Sequence, residues 1–292
     1  MRKIICLFLI FIMVFGISGC RMSNEKNDKL QIVTTIFPYY SIAKEICGDH
    51  AEITMLLKPG AESHTFDPTT QDILTIKNAD IFIYTGGEDD EWVETILSSI
   101  DTDKTKIIKA IDTIKHTTDQ PDDLYDEHIW TSIKNANSIS DKIYSVIDNP
   151  KYQDNKDKLD EKLLKLDMEF NKLAINSADK TLIIADRFPF SHFISDYGFN
   201  YISAFPSCSE ESEPSVQTMT EIINTVREEN IPYLFYIEFS NQKIADTIQS
   251  ETGAGKLLFH SCHNITNDEF NSGETYLSLM EQNLENLKEA LK

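Results

Sequence analysis

Residues 149–178 read NPKYQDNKDKLDEKLLKLDMEFNKLAINSA, and this segment decides how the remainder of the chain is organised. Its large apolar residues recur at intervals of four and three residues, which places them on one face of an α-helix. They are Leu159, Leu163, Leu166, Phe170 and Leu173. Charged residues cover the opposite face, so the pattern predicts a long amphipathic helix that joins two halves of the chain.

Strand-like runs alternate with helical patterns on both sides of this helix. The runs in residues 30–148 are 31–36, 51–57, 79–85 and 106–110, and those in residues 179–292 are 181–186, 200–205, 233–239 and 256–260. This alternation is typical of mainly parallel sheets covered by helices. We therefore expect an α/β protein of two lobes. Each lobe is predicted to hold a roughly four-stranded, mainly parallel sheet flanked by helices, and one long backbone α-helix is predicted to join them.

The first twenty residues, MRKIICLFLIFIMVFGISGC, have the form of a secretory signal: two basic residues, an apolar run and small residues that lead into Cys20. The apolar run is short for a membrane span, which needs about 20 apolar residues. The pattern predicts a lipoprotein signal over 1–19, a lipid on Cys20 and a flexible tether over 20–29. The protein is then expected on the extracytoplasmic face of the cell membrane. The alternative is a single membrane anchor.

The charge balance limits the choice of partner. With 27 Lys and Arg against 48 Asp and Glu, the chain has a formal net charge of −21. Nucleic-acid binding requires basic residues that neutralise phosphates, so the composition argues against a nucleic-acid partner. An acidic surface mildly favours the attraction of cations.

Three histidines lie in segments that look suited to ligand binding. His64 is in the loop KPGAESHTFDP (58–68) after the second predicted strand, and His260 ends the last strand in LLFHSCHNIT (257–266). Ligands of open α/β sheets collect beyond the carboxyl ends of strands, where both residues are expected. His128, in YDEHIWTSIKNA (125–136), has no adjacent strand to position it. A shared metal site and ordinary surface histidines both remain possible at this point.

A resemblance to a known family is carried by four segments. They are LKPGAESHTFDPTTQDILTIKNADIFIYTGG (57–87), DEHIWTSIKNA (126–136), EFSNQKIADTIQSETGA (238–254) and TYLSLMEQNLENLKEAL (275–291). In this order they resemble the zinc- and manganese-binding lipoproteins of bacterial ABC transporters over essentially the whole mature chain. The resemblance implies metal held between the lobes and delivered to a membrane permease. Its ATPase is then a separate chain, because no phosphate-binding Gly-x4-Gly-Lys-Ser/Thr loop occurs here. We expect a monomeric receptor and not an enzyme.

The resemblance also implies ligands. It predicts His64 and His128 as metal ligands and aligns the fourth ligand position with His260. The third position, ten residues before the Tyr197-Gly198 pair, is Arg187, whose guanidinium stays protonated and cannot bind a metal. The expected set is therefore His64, His128 and His260. His263 is an alternative fourth ligand, and Glu238 is the expected partner of Arg187.

Three imidazoles with water or one carboxylate suit Zn²⁺ as the transported ligand, whereas Mn²⁺ prefers more oxygen ligands. A manganese receptor, another metal receptor and a surface adhesin are alternative interpretations. A zinc hydrolase would also use histidines and a metal-bound water, but no His-Glu-x-x-His motif is present.

The cysteines of the predicted mature chain, apart from Cys20, are Cys47, Cys208 and Cys262. Cys208 follows the second predicted strand of the second half and Cys262 follows the last, so both are expected in loops at the carboxyl edge of one sheet. We predict a Cys208–Cys262 disulfide, as an oxidising compartment allows, with Cys47 unpaired. The competing interpretation is that Cys262 is a thiolate ligand beside His260 and His263.

Overall fold

The computed structural model describes residues 29–63, 65–114, 126–177, 180–208 and 213–292. Within these ranges the chain forms two four-stranded sheets, with strand orders β2-β1-β3-β4 and β6-β5-β7-β8. The strands are β1 Leu30–Thr34, β2 Ala51–Met55, β3 Ile81–Tyr84, β4 Lys106–Lys109, β5 Thr181–Ile184, β6 Asn200–Ser203, β7 Tyr233–Tyr236 and β8 Gly255–Leu258. Every pair of neighbouring strands is parallel. The predicted α/β class is confirmed.

Helices cover the sheets as parallel strands require. The N-terminal lobe contains α1 Phe37–Cys47, α2 Thr70–Lys77, α3 Glu91–Ser99 and α4 Ile133–Ile147. The C-terminal lobe contains α6 Ser191–Tyr197, α7 Val216–Glu228, α8 Lys243–Thr252, α9 Asn267–Ser272 and α10 Tyr276–Ala290. Short 3-10 turns occur at Gly48–His50, Glu88–Asp90, Ala110–Thr113, Ile129–Thr131 and Pro150–Tyr152. The helix α9 is less than two turns long.

The long helix α5, Gln153–Asn176, lies between the lobes, inside the segment predicted to join them. The predicted apolar face is the face that packs: Leu159, Leu163, Leu166 and Phe170 are buried, and Leu173 is partly buried. These side chains belong to one core cluster with residues of both lobes, since α5 contacts α1, α4, α6 and α10. The predicted joining helix is confirmed, and it forms part of a core shared by the two lobes.

Hydrogen bonds also cross directly between the lobes. The indole Nε1 of Trp130 donates to the carbonyl oxygen of Ser261 at 2.8 Å. The side-chain Nδ2 of Asn264 donates to the backbone carbonyl oxygens of Lys58 at 2.9 Å and Ala61 at 2.7 Å. The loop after β2 and the loop after β8 therefore meet at the carboxyl edges of the two sheets, where ligands of such folds bind.

The predicted signal at 1–19 and the predicted lipidation site Cys20 lie outside the described residues. Where the structure does describe the chain, no helix combines the length and the apolar character that crossing a membrane requires.

Candidate metal centre

His128 lies in the loop that precedes α4, and its orientation is set by Asp126. Its side chain is 3% exposed, and Nδ1 lies 2.6 Å from Oδ1 of Asp126. The same Asp126 oxygen accepts from the backbone N–H of His128 at 3.0 Å. The other ring nitrogen, Nε2, is buried and has no hydrogen-bond partner among the described residues. One nitrogen held by a carboxylate and the other left without a partner is the arrangement of a metal-binding histidine.

Asp126 was not predicted as a site residue, although an acidic residue two positions before a loop histidine was the available signal. Burial acts to raise the pKa of Asp126, but the facing His128 outweighs it and the pKa is lowered well below its usual value. For His128, burial acts to lower the pKa, while Asp126 and then Cys208 raise it, and the net pKa lies well above the ordinary value. The Asp126 carboxylate thus favours the protonated form of the His128 imidazole.

The C-terminal lobe supports this pair. The backbone N–H of Ser191 donates to Oδ2 of Asp126 at 3.3 Å, and Nε2 of His192 lies 2.7 Å from the carbonyl oxygen of Asp126. The loop of His128 is therefore fixed from both lobes.

His263 lies directly against His128. The two ring centroids are 5.2 Å apart with planes at 83°, and the His263 ring is 4.9 Å from the ring of Trp130. Nδ1 of His263 lies 3.4 Å from the hydroxyl oxygen of Ser63. Since Ser63 immediately precedes His64, this contact brings the His64 loop to the two histidines.

His64 itself lies outside the described residues. The loop before it is anchored to the opposite lobe, because the backbone N–H of Gly60 donates to the carbonyl oxygen of Ile265 at 2.7 Å. Gly60 has φ +80°, and a Cβ there would meet the side-chain amide of Asn267 at 3.0 Å, so glycine is needed in this turn.

His260 occupies a different position from His263. The residue is 1% exposed. Its Nδ1 accepts from the backbone N–H of Cys262 at 2.9 Å, and the same Nδ1 lies 3.7 Å from Oε2 of Glu238. Its Nε2 is 3.9 Å from Oε1 of Glu269 and has no hydrogen-bond partner in the described part of the chain. Burial acts to lower the pKa of His260, but Glu238 raises it and the net pKa lies well above the usual value.

Among the described residues, which do not include His64, no three His, Cys, Asp or Glu side chains are grouped closely enough to hold a metal ion. The structure thus brings His128 and His263 together. His260 instead contacts Glu238, Cys262 and Glu269.

The predicted Arg187–Glu238 ion pair is wrong. Nη1 of Arg187 donates to Oε1 of Glu62 at 3.3 Å, across the gap between the lobes. Glu238 accepts from the backbone N–H of Ser261 at 2.8 Å and also from the Ser261 hydroxyl. Ser261, in the turn after β8, donates to both carboxylate oxygens of Glu238. Arg187 therefore pairs with Glu62 of the N-terminal lobe.

The predicted Cys208–Cys262 disulfide is also wrong, since none of the three described cysteines forms a disulfide. Cys262 is fully buried, and its Sγ lies 3.8 Å from the carbonyl oxygen of His260. Cys208 is half-buried and faces the gap between the lobes. The two thiols therefore have different surroundings, although both follow strands of the same sheet.

A small cavity lies where these groups converge. Ser63, Arg187, Cys208, Glu238 and His263 are among its lining residues, and its volume of about 20 Å³ is enough for one water-sized occupant. Residues of both lobes line it. This cavity is too small for an organic substrate.

Comparison with known proteins identifies related sequences. The sequence model of the family described as "ZnuA: Zinc-uptake complex component A periplasmic" matches residues 32–290. The zinc-binding lipoprotein AdcA of Streptococcus pneumoniae (strain ATCC BAA-255 / R6) is 27% identical over 307 residues, which cover 98% of this chain and 61% of AdcA. The high-affinity zinc uptake system protein ZnuA of Bacillus subtilis (strain 168) is 26% identical over 288 residues, covering 92% of this chain and 90% of that protein. The chain therefore spans about three fifths of the length of its AdcA relatives.

Solved structures agree with this comparison. The zinc-bound ZnuA-like domain of AdcA from Streptococcus pneumoniae has a TM-score of 0.73 at 29% identity, covering 90% of this chain and 99% of that domain. The metal-dependent lipoprotein YcdH of Bacillus subtilis has a TM-score of 0.78 at 27% identity, with coverage of 90% and 99%. The laminin-binding protein Lmb of Streptococcus agalactiae, described as having adhesin and metal-transporting activity, has a TM-score of 0.74 at 26% identity, with coverage of 90% and 100%.

Proposed function

The chain belongs to the family of periplasmic zinc-uptake component A proteins, and from this premise we propose that it captures a zinc ion between its lobes for import. The lipid on Cys20 would hold the protein at the extracytoplasmic face of the membrane. The loaded receptor would dock as a monomer on an ABC permease, and a separate ATPase chain would drive uptake. The names of the relatives AdcA and ZnuA support zinc as the cargo.

The observation that carries the proposal is the pairing of His128 with His263 between the lobes. The rings are in edge-to-face contact at 5.2 Å, and Asp126 holds Nδ1 of His128 so that Nε2 is left for a metal. The carboxylate neighbour fixes the ring orientation and makes the imidazole a better ligand.

We propose His64, His128 and His263 as the histidine ligands, with His263 in place of His260. Ser63 contacts Nδ1 of His263, and His64 is the next residue in the sequence. His260, like His128, has a buried Nε2 without a hydrogen-bond partner among the described residues, but its ring lies near Glu238 and Glu269. We prefer His263 because it is the histidine whose ring contacts His128. A set of imidazoles favours zinc over manganese, since manganese prefers carboxylate and water oxygens.

Metal analysis tests the choice of cargo. We expect the purified protein to contain about one zinc ion per chain, and the metal-free protein to bind zinc in preference to manganese in a competition titration. Preferential loading with manganese would contradict the proposed cargo. A protein that takes up neither metal would contradict the receptor function itself.

Replacement of Cys20 by alanine tests the anchor. We expect release or misprocessing of the protein with zinc binding unchanged, because the metal centre is remote in sequence from the lipidation site. Retention of the Cys20→Ala variant in the membrane fraction would contradict a lipid anchor at this residue.

Adhesion is a second candidate function, favoured by the similarity to the laminin-binding protein Lmb. Immobilised laminin should retain the protein if it shares this role, with a zinc-free sample as the control. We do not propose catalysis: the zinc-loaded protein is expected to leave ester, amide and phosphoester substrates unchanged, and turnover of any of them would contradict this.

A further inference from the structure

We propose that the amino edge of the N-terminal sheet binds the anionic phospholipid headgroups of the membrane to which the protein is anchored. The inference rests on the lipid anchor at Cys20, which belongs to the proposed function, and it adds a second contact with the same membrane. The contact is made by a cleft lined by four lysines, which we call the basic cleft. They are Lys29, Lys104, Lys106 and Lys151.

The basic cleft lies at the end of the N-terminal lobe opposite to the candidate metal centre. Lys29 immediately precedes β1, Asp80 immediately precedes β3, and Lys106 begins β4. Because these strands are parallel, the three residues share the amino edge of the sheet, whereas the loops of the metal centre meet at the carboxyl edge. The five residues of β1 separate the two edges, which corresponds to roughly 16 Å at about 3.3 Å per residue.

The charge of the basic cleft is opposite to that of the protein. Four lysines and one acid, Asp80, are among the described residues that line it, whereas the whole chain has 27 Lys and Arg against 48 Asp and Glu. All four lysines are exposed. Within the described ranges, none of their ammonium groups forms an ion pair with a carboxylate. The cleft therefore presents positive charge that the lobe itself does not neutralise.

The local contacts of the cleft leave its donors available. Nζ of Lys106 donates to the carbonyl oxygen of Val146 at 2.7 Å, and two of its three N–H groups remain for a ligand. Nζ of Lys151 lies 4.6 Å from the ring centroid of Tyr152. The carboxylate of Asp80 accepts from the backbone N–H of Gln31 at 2.8 Å. The cleft has a volume of about 530 Å³, which is in the usual range for small-ligand sites and accommodates a phosphate headgroup.

The position of Lys29 in the chain points to a membrane as the occupant. Lys29 follows Cys20 by nine residues, and nine residues span at most about 30 Å when fully extended. A lipid on Cys20 would therefore keep the basic cleft close to the bilayer surface. The negative potential of anionic lipids attracts lysines within a Debye length of that surface. Binding there would hold the amino edge against the membrane and leave the metal centre on the side away from it.

Lysine footprinting on the full lipidated protein tests the proposal. The protein is reconstituted in vesicles of phosphatidylcholine alone or of an equal mixture with phosphatidylglycerol, and the acetylation rate of each lysine is followed by mass spectrometry. We expect acetylation of Lys104, Lys106 and Lys151 to slow by at least about 5-fold in the anionic vesicles, the factor expected for one lysine near such a surface. The difference should disappear at high salt. Lys165 and Lys172, exposed on α5, should react equally in both kinds of vesicle.

Two triple variants separate the charge of the cleft from the charge of the whole protein. The cleft variant combines Lys104→Gln, Lys106→Gln and Lys151→Gln. The control variant combines Lys158→Gln, Lys165→Gln and Lys172→Gln, which are exposed on α5. Both lose three positive charges, and Lys29 remains in both as the reporter. Its protection in anionic vesicles should be lost in the cleft variant and kept in the control variant, and circular dichroism verifies that each variant is folded.

The other outcomes are distinguishable. Equal acetylation of the cleft lysines in both kinds of vesicle would overturn the proposal and leave the lipid anchor standing. Protection by inorganic phosphate in phosphatidylcholine vesicles, equal to that in anionic vesicles, would overturn the membrane contact and assign the cleft to a soluble phosphate. A mature protein whose mass shows no lipid would overturn the anchor of the proposed function. Flotation of that protein with the anionic vesicles, lost in the cleft variant, would still support the basic cleft, and failure to float would overturn it.

Discussion

The imidazoles of His128 and His263 lie in edge-to-face contact between the lobes, with centroids 5.2 Å apart and planes at 83°. His128 comes from the N-terminal lobe and His263 from the loop after the last strand of the C-terminal lobe. A metal ion held by both would link the two lobes at their carboxyl edges. Trp130, which packs against both rings and donates across to Ser261, already joins the lobes beside this contact.

Asp126 is expected to set the zinc affinity through His128 without contacting the metal. Replacing it by asparagine keeps the size of the side chain but removes the charge that orients the imidazole. Zinc affinity should fall by about 10- to 100-fold, as is usual for the outer partner of a metal ligand. Competition with a chromophoric chelator measures this. Asp196→Asn, which alters a carboxylate of the neighbouring helix that pairs with Ser132 and Lys134, is the control and should change the affinity little. An unchanged affinity in Asp126→Asn would contradict the orienting role.

The pH dependence of binding follows from the same pair. Burial opposes the charge on His128, but Asp126 raises its pKa well above the ordinary value, so the metal-free imidazole stays protonated to higher pH than a solvated histidine. Zinc must displace that proton, and affinity should continue to rise with pH above about 6.5, the usual histidine pKa. Calorimetric titration in two buffers of different ionisation enthalpy should report proton release at neutral pH. Asp126→Asn should shift the rise to lower pH, and an identical profile would contradict the coupling.

The cysteine chemistry of the unfolded and folded protein should differ. Since no described cysteine is in a disulfide, unfolding without reductant should expose three thiols besides the predicted lipidated position. In the folded, metal-free protein, burial raises the pKa of Cys47 to about 11, and this thiol should resist alkylation at pH 8. The half-buried Cys208 should react first. Only one reactive thiol in the unfolded protein would contradict this expectation and support the predicted Cys208–Cys262 disulfide.

Two neighbouring leucines of the long helix α5 provide a matched pair of variants for measuring the free energy of unfolding. Leu163 is 1% exposed and packs in the shared core, whereas its neighbour Leu164 is 62% exposed. Leu163→Ala should lower the free energy of unfolding by about 2–5 kcal/mol, because it leaves a cavity in a core built by both lobes. Leu164→Ala should change it by less than about 0.5 kcal/mol, as is usual for surface positions. Urea unfolding measures both, and equal losses would contradict the assigned face of the helix.

The sequence predicted the fold in detail because the relevant signals are periodic. The spacing of Leu159, Leu163, Leu166 and Phe170 identified the buried face of the joining helix, and the strand-like runs matched the two parallel sheets. Periodicity reports only which residues face a core. It could not predict the cross-lobe hydrogen bonds that set the positions of the loops.

The Arg187–Glu238 pair and the Cys208–Cys262 disulfide were predicted wrongly, because side-chain direction in loops depends on individual backbone angles. His260 and His263 follow the same strand, three residues apart, and sequence position alone does not separate them. Cys262 has φ +60°, a conformation uncommon outside glycine and asparagine, and the chain turns there. On one side of this turn His260 meets Glu238, and on the other His263 meets His128.

The prediction that Arg187 pairs with Glu238 was wrong for a related reason. The sequence placed Glu238 near it at the carboxyl edge of the sheet, but it could not reveal that Ser261 supplies both a backbone N–H and a hydroxyl to that carboxylate. Cys208 was likewise predicted beyond the correct strand, but it lines a cavity to which both lobes contribute, and a strand pattern carries no information about the facing lobe.

Zinc titration of two matched variants, His263→Ala and His260→Ala, tests the site most directly. We expect His263→Ala to lose zinc affinity by several orders of magnitude because a ligand is removed. His260→Ala should weaken binding by only about 10- to 100-fold, as a residue that supports the loop. His50→Ala, on the exposed surface of the N-terminal lobe, serves as the control for both. Zinc binding by His263→Ala as tight as that of the parent protein, with a severe loss in His260→Ala, would contradict the proposed centre.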